Sequence, residues 1–179
     1  MAKQTQDLFT QRLIANIPIV SVADVIQTVA FTDAYRPEEL VGFVIQDVQY
    51  HVEDNLISQL NTTLDRVKFG LSYLRAFPAG GPEADDPGVL DHHSIARYDL
   101  AAPAADVVIY ENSPIARRDF SQLKGGGLLV HPVNFYAFTY ADMAIALDVE
   151  LRIEVTYFRV TLTDALHKEL FQSIYVRQV

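Results

Sequence analysis

The stretch VELRIEVTYFRVTL, residues 149–162, carries the clearest pattern in the chain. From Val149 to Tyr157 every odd position is aliphatic or aromatic, and the residues between them are Glu, Arg, Glu and Thr. Side chains of a β-strand alternate between the two faces of a sheet, so this spacing predicts a strand with one buried face. After Phe158 the apolar residues fall on even positions, Val160 and Leu162. One extra residue in one strand of a pair would cause this slip, so we expect a β-bulge near Tyr157–Phe158.

The same period of two recurs along the chain. GFVIQDVQYHV (42–52) and DRVKFGLSYL (65–74) alternate in the same way, and VVIY (107–110) reads as a short buried strand. IPIVSVADVIQTVAFT (17–32) is rich in β-branched residues, which favours strand over helix. We expect either one strand or two short ones bent near Ala23–Asp24.

Three glycines in KGGG (124–127) predict a flexible break, followed by an aromatic strand that begins at about Val133. Both faces of that strand carry bulk, so it should lie between two packed layers or at a subunit contact. ENSPIARRDF (111–120) reads as a turn followed by a short helical turn or a loop. Residues 78–93, with three prolines, three glycines and four acids, predict a long loop.

A short C-terminal helix is predicted from TDALHKELFQSIY (163–175). Thr163 is a suitable N-cap, and Leu166, Leu170 and Ile174 form one apolar stripe. Six to nine strands, long loops and little helix favour an all-β two-sheet sandwich, for which the jelly roll is one common solution. The domain is expected to cover residues 15–179, after an N-terminal arm at residues 1–14.

Composition excludes several classes of function. There is no cysteine, and therefore no disulfide or thiolate metal site. The formal net charge is −9, and the arm carries only Lys3 and Arg12, so direct nucleic-acid binding is not expected. The first 13 residues lack the apolar core of a secretory signal. The sequence contains no run of 18 apolar residues, so no membrane span is expected.

Histidines and acids offer no recognisable metal motif. A cupin-like metal site would need two His one residue apart on a strand, and none occurs. Asp91 and His92 could ligate a cation, but their Pro/Gly/Asp-rich context favours a solvated loop. Glu83, Asp85, Asp86 and Asp91 could bind Ca²⁺, yet they lack the spacing of an EF-hand loop. We therefore expect no metal and no cofactor.

Catalytic motifs are also missing. No G-x-S-x-G, phosphate-binding loop or dinucleotide fingerprint is found. Glu150 and Glu154 share a strand face with Arg152, which indicates a charged exterior ladder rather than a facing pair of catalytic carboxylates. The aromatic run FYAFTY (135–140) has no basic neighbours, so packing or a subunit contact is favoured over stacking on bases or sugars. The chain is not expected to be an enzyme.

The order of these segments resembles viral single jelly-roll capsid proteins. The resemblance rests on GGGLLVHPVNFYAF, TYADMAIALD and VELRIEVTYFRVTL followed by a short helix, with ELVGFVIQDVQYHV and LDRVKFGLSYL as an upstream strand pair. It covers about residues 15–175, and the nearest group is the small major capsid protein of the sphaerolipovirus-like, membrane-containing icosahedral viruses.

The resemblance implies a structural protein of the virion, made in the host cytoplasm. It implies assembly with other copies and with a second, larger jelly-roll capsid protein, over an internal membrane that separates the shell from the genome. The residues expected at subunit interfaces are Glu150, Arg152, Glu154, Arg159, Phe135 and Tyr136. The alternative is a β-sandwich binding module, either for carbohydrate or as a spike or tail accessory protein of the virion.

Overall fold

The computed structural model describes residues 10–19, 25–31, 40–53, 56, 60, 66–74, 77, 81–100, 107–111, 115–131, 135–142 and 149–177. These residues form ten strands and a C-terminal helix. The strands are β1 (Gln11–Ile19), β2 (Val25–Ala30), β3 (Val41–Val52), β4 (Arg66–Ser72), β5 (Val89–Leu100), β6 (Val107–Glu111), β7 (Ile115–Asp119), β8 (Leu128–Val130), β9 (Tyr136–Ala141) and β10 (Val149–Thr161), and the helix is α1 (Asp164–Arg177). Within the described residues, no helix is long and apolar enough to cross a membrane.

The strands form two antiparallel sheets with a nested order. Sheet A runs β1–β10–β3–β7, with β8 also paired to β3, and sheet B runs β2–β9–β4–β5–β6. The first strand pairs with the last, β2 with β9, β3 with β8, and β4 with β5. The chain is therefore one long hairpin rolled into two layers, which is the jelly-roll arrangement. This confirms the predicted all-β sandwich with a short C-terminal helix.

The core lies between the inner faces of the two sheets. On β10 the inward side chains Leu151, Ile153 and Val155 are fully buried, as the alternation predicted. Tyr50 of sheet A packs on Phe69 of sheet B, with ring centres 5.3 Å apart. Burial of each large apolar side chain contributes about 1.5–3 kcal/mol, so this interior supplies most of the free energy that holds the layers together.

The predicted bulge is present, but the extra residue lies in β3. Thr156 pairs with Asp47 whereas Tyr157 pairs with Ile45, so Gln46 has no counterpart in β10. The strand β10 continues its alternation, and Phe158 faces outward beside Val44. The apolar residues of the sequence move from odd to even positions because the outer face of sheet A becomes apolar beyond the bulge.

Several boundaries differ from those expected. β1 begins at Gln11, so the predicted arm at 1–14 loses its last four residues to the sheet. The segment 17–32 does contain two strands, one in each sheet, while the expected bend at Ala23–Asp24 lies outside the described residues. The aromatic strand begins at Tyr136 rather than Val133, and a short strand, β8, precedes it.

Two segments predicted as loops are strands. Ile115–Asp119 is β7, paired with β3, because five residues on a sheet edge need little apolar alternation. The loop predicted over 78–93 ends at Val89, where β5 begins. Asp91 and His92 therefore lie in a sheet, not in a solvated loop, and Asp91 is buried.

The loop before β5, residues 81–88, packs on the outer face of sheet B. A side chain at Gly81 would collide with the ring of Tyr140, and Lys68 of β4 makes an ion pair with Glu83. Phe77 contacts Phe138 with ring centres 5.3 Å apart. β9 is thus covered on both faces, by sheet A on one side and by this loop and Phe77 on the other, which explains why both faces carry large side chains.

The C-terminal helix begins as predicted. The Oγ1 of Thr163 accepts a hydrogen bond from the backbone N–H of Leu166 at 3.3 Å, and Asp164 supplies an acid in the first turn. Leu166 and Leu170 are half-buried, while the side chain of Ile174 lies outside the described residues.

Candidate subunit interface

The outer face of sheet A holds three of the six predicted interface residues side by side. Glu150, Arg152 and Glu154 alternate with the buried residues of β10 and point away from the core. β1 and β3 flank them, with Ile14 and Gln49 beside Glu154. The face is therefore a regular, three-strand surface on a rigid element rather than a loop.

Glu154 is the centre of a charge cluster within the chain. Its Oε1 lies 2.7 Å from Arg152 Nη2 and 3.9 Å from His51 Nε2, and its Oε2 lies 3.3 Å from Arg12 Nη1. The carboxylate is mostly covered, with 14% of the side chain exposed, whereas Arg12 and Arg152 are 64% and 51% exposed. Such pairs add little stability, but they fix two guanidinium groups in a position that faces outward.

The rest of this half of the face is open. Glu150 is exposed, and Ile14 is 52% exposed, one of the large apolar side chains left uncovered among the described residues. Farther across the sheet, Arg117 Nε donates to Asp47 Oδ1 at 2.6 Å. Acidic, basic and apolar groups therefore lie together on the outer face of sheet A.

Beyond the bulge the same face is apolar. Leu129 and Leu162 meet above Gly42, where a Cβ would lie 2.9 Å and 3.1 Å from them. Together with Val44 and Phe158 they border a groove of about 290 Å³ that Val160 and the turn at Lys124 and Gly125 complete. The positive φ of Gly125 and Gly126 makes this tight turn possible, as expected for KGGG.

The other three predicted interface residues lie elsewhere. Phe135 is buried in the core and stacks on Phe31, with ring centres 4.9 Å apart, so its prediction as a contact residue is wrong. Arg159 pairs in register with Phe43 and places its guanidinium 5.9 Å from that ring, on the inner side of sheet A. Tyr136 is half-buried in sheet B. None of the three joins the Glu150–Glu154 surface.

A polar cluster that the sequence did not reveal bridges the two sheets. Tyr50 Oη donates to Asp91 Oδ2 at 2.7 Å, and His93 Nε2 lies 3.1 Å from the same oxygen. Burial raises the pKa of the Tyr50 hydroxyl well above its usual value, and the Asp91 charge adds to this effect. The hydroxyl therefore remains protonated and satisfies the carboxylate. Because β5 begins at Val89, Asp91 and His93 lie on the same face of the strand. The sequence did not predict this strand, since both of its faces contain polar residues.

The acids predicted as a possible cation site do not come together. Asp91 points into the sandwich toward Tyr50, whereas Glu83 lies in the loop beside Lys68, whose hydrogen bond lowers the pKa of the Glu83 carboxyl. His92 faces the opposite side of β5 from Asp91, and burial lowers its pKa. Within the described part of the chain, no three His, Asp or Glu side chains are arranged to hold a metal ion.

A second unforeseen contact joins the helix to the sandwich. His131, directly after β8, is fully buried, and its Nε2 lies 3.0 Å from Nε2 of His167 in α1. The backbone N–H of His131 donates to Tyr73 Oη at 3.0 Å. Burial, followed by the nearby His167, lowers the pKa of His131 to about 4. The two histidines lie 36 residues apart in the chain, so no local motif could have predicted their contact.

No protein-family model matches the sequence, and no curated protein matches it.

Proposed function

We propose that this chain is a structural capsid protein, a subunit of the shell of a tailless icosahedral virus. It assembles with further copies and with a second, larger jelly-roll protein, above an internal membrane. A fold alone does not assign a function, because jelly rolls serve many roles. The support for the proposal comes from the outer face of sheet A.

That face has the composition of an interface. An apolar groove bordered by Val44 and Phe158 adjoins a polar area that contains Arg152 and Glu154. Protein interfaces combine apolar contact with a polar, hydrogen-bonding rim in this way. Side chains fixed on a sheet also keep their positions from copy to copy, which a regular lattice requires.

The charges on this face favour a copy of the same chain as one partner. The chain carries a net charge of −9, yet Arg12 and Arg152 present exposed guanidinium groups here. Glu150 is exposed and has no ion-pair partner among the described residues. An arginine of one copy and Glu150 of the next can therefore pair, which fixes orientation more than it adds affinity.

The low positive charge of residues 1–14 agrees with a membrane between shell and genome. Residues 1–14 contain only two basic residues, Lys3 and Arg12. A shell protein that packages its genome by direct contact needs more positive charge than this.

The carbohydrate-binding alternative requires an exposed aromatic platform. Tyr136, Phe138 and Tyr140 share the outward side of β9; Phe138 and Tyr140 are buried beneath the 81–88 loop and Phe77, and Tyr136 is half-buried. Their burial favours assembly over glycan binding, and a glycan array with a specific hit would reverse that preference.

Sedimentation velocity of the purified chain over a range of concentrations tests the proposed contact. The wild-type chain is expected to self-associate, and Glu150→Arg is expected to weaken this association at least about tenfold by placing like charges together. Glu169→Arg on α1 is the matched control, because it makes the same charge change at an exposed position away from sheet A. A monomeric wild-type chain, or a Glu150→Arg variant that associates like the wild type, would contradict the proposal.

A further inference from the structure

Two histidines meet where the C-terminal helix joins the sandwich. His131 follows the short strand β8, and His167 lies in the first turn of α1, where its N–H donates to Thr163 O at 2.9 Å. Both elements are anchored: β8 pairs with β3, and the chain just before the helix is tied to the sandwich because the backbone N–H of Leu162 donates to Leu40 O at 2.7 Å. The two imidazoles are therefore held at a defined separation by independent parts of the fold.

The geometry of the pair differs from that of a straight hydrogen bond. The Nε2 atoms are 3.0 Å apart, and the ring centres are 4.8 Å apart. In a straight N–H···N bond the ring centres, each about 1.1 Å behind its nitrogen, would lie about 5.2 Å apart. The shorter observed distance means that at least one ring is tilted away from the line that joins the two nitrogens.

A metal ion bound to both nitrogens would have suitable bond lengths. Two Zn–N bonds of about 2.05 Å that span this separation meet at about 95° and would place the ring centres about 4.6 Å apart. The observed 4.8 Å is closer to this value than to that of the straight hydrogen bond. The N–Zn–N angle of about 95° is below the tetrahedral value, and a small rotation of either imidazole ring would widen it.

The chemistry of the pair also suits a metal. Neutral imidazole is a common ligand for zinc, nickel and copper ions, and a ligand nitrogen must be free of its proton. His131 is fully buried, which disfavours its charged form, while His167 is half-buried and gives access from solvent. Two imidazoles leave the other coordination positions to water, since no third His, Asp or Glu joins them among the described residues.

We propose that His131 and His167 together bind a divalent first-row transition-metal ion, such as Zn²⁺ or Ni²⁺, which fastens helix α1 to the sandwich. The site is independent of the proposed role in a capsid. It requires neither assembly nor the outer face of sheet A.

Calorimetric titration of the full chain with ZnCl₂, and separately with NiCl₂, tests the site after treatment with a chelator and its removal. The wild-type chain is expected to bind about one equivalent, and His167→Gln is expected to weaken binding at least about tenfold by removing one of two ligands. His131→Gln should have the same effect. His51→Gln, at a histidine whose side chain is 40% exposed on sheet A, is the control that should bind as the wild type does.

Nitrogen-15 NMR of the imidazoles gives a readout that does not depend on the variants. Saturation with Zn²⁺ should shift the Nε2 resonances of both His131 and His167 and leave that of His51 in place. This measurement also serves if His131→Gln fails to fold. The proposal is overturned if the wild-type chain binds neither ion, if His167→Gln binds equally well, or if the Nε2 resonances of the pair do not shift.

Discussion

At the scale of single residues, the polar groups inside the sandwich impose the sharpest constraints. The Asp91 carboxylate is buried between the sheets, where an unpaired charge would cost several kcal/mol. Tyr50 and His93 both contact one of its oxygens, and they come from different sheets. The cluster therefore fixes how β3 and β5 lie against each other, in addition to the apolar contacts around it.

Replacement of Tyr50 by Phe should show how much the hydrogen bond to the buried Asp91 carboxylate contributes to the free energy of unfolding. The change removes the 2.7 Å hydrogen bond and leaves a buried acceptor less well satisfied, so the free energy of unfolding should fall by about 1–3 kcal/mol. Tyr157→Phe is the matched control, because it removes a hydroxyl bond to the neutral side chain of Gln11 at the margin of the core. Urea denaturation of both variants should show the larger loss for Tyr50→Phe, and equal losses would contradict a special role for Asp91.

Acid should destabilise the metal-free chain through His131. The pKa of this residue is about 4 in the folded state, below the ordinary 6.5, so the unfolded chain binds a proton that the folded chain rejects. The contribution of this one group is present above about pH 6.5 and is lost as the pH falls from there toward 4, by at most about 1.4 kcal/mol per pH unit. Denaturation in EDTA at several pH values should show a shallower decline for His131→Gln than for the wild type. Parallel curves would show that His131 is not the group responsible.

At the scale of elements, the close approach of two paired strands explains a glycine that the sequence pattern gave no reason to expect. Gly70 of β4 lies opposite His92, and a Cβ there would fall 2.0 Å from the backbone oxygen of Asp91. Backbone atoms of a paired strand cannot move aside without loss of the ladder. The glycine is therefore a requirement of the β4–β5 pair and not a sign of flexibility.

Gly70→Ala should consequently be one of the most damaging single changes in sheet B. We expect a loss of about 3 kcal/mol or more, because overpacking here displaces backbone. Gly42→Ala is the matched control in sheet A, where the added methyl group meets the tips of Leu129 and Leu162, which can rotate away. Thermal unfolding should separate the two variants clearly, and a Gly70→Ala chain as stable as Gly42→Ala would refute the close approach.

The elements with strong alternation could be predicted from the sequence, and those with weak alternation could not. β10 and β3 were recognisable because their inner positions are almost all apolar. β5 was not, since Asp91 and His93 occupy inner positions that patterns assign to apolar residues. β7 was hidden because five residues ending in Arg-Arg-Asp carry no hydrophobic period. In both strands, pairing with a neighbour outweighs local preference.

At the scale of the whole molecule, the nested pairing produces surfaces that no single segment encodes. The charged half of the sheet A face was predictable, because Glu150, Arg152 and Glu154 lie on one strand with a period of two. The contacts of Glu154 with Arg12 and His51 and the meeting of His131 with His167 join residues distant in sequence. Such contacts arise only once the roll has closed, which is why sequence patterns gave part of the candidate site and not the rest.

Quantitative mass spectrometry of purified, intact icosahedral particles from the source of this sequence tests the central proposal most directly. A structural subunit should be present in hundreds of copies per particle, together with a second jelly-roll protein, and should remain after mild detergent removes loosely bound proteins. Absence of the chain from such particles, or a yield of only a few copies per particle, would contradict its role as a subunit of the shell.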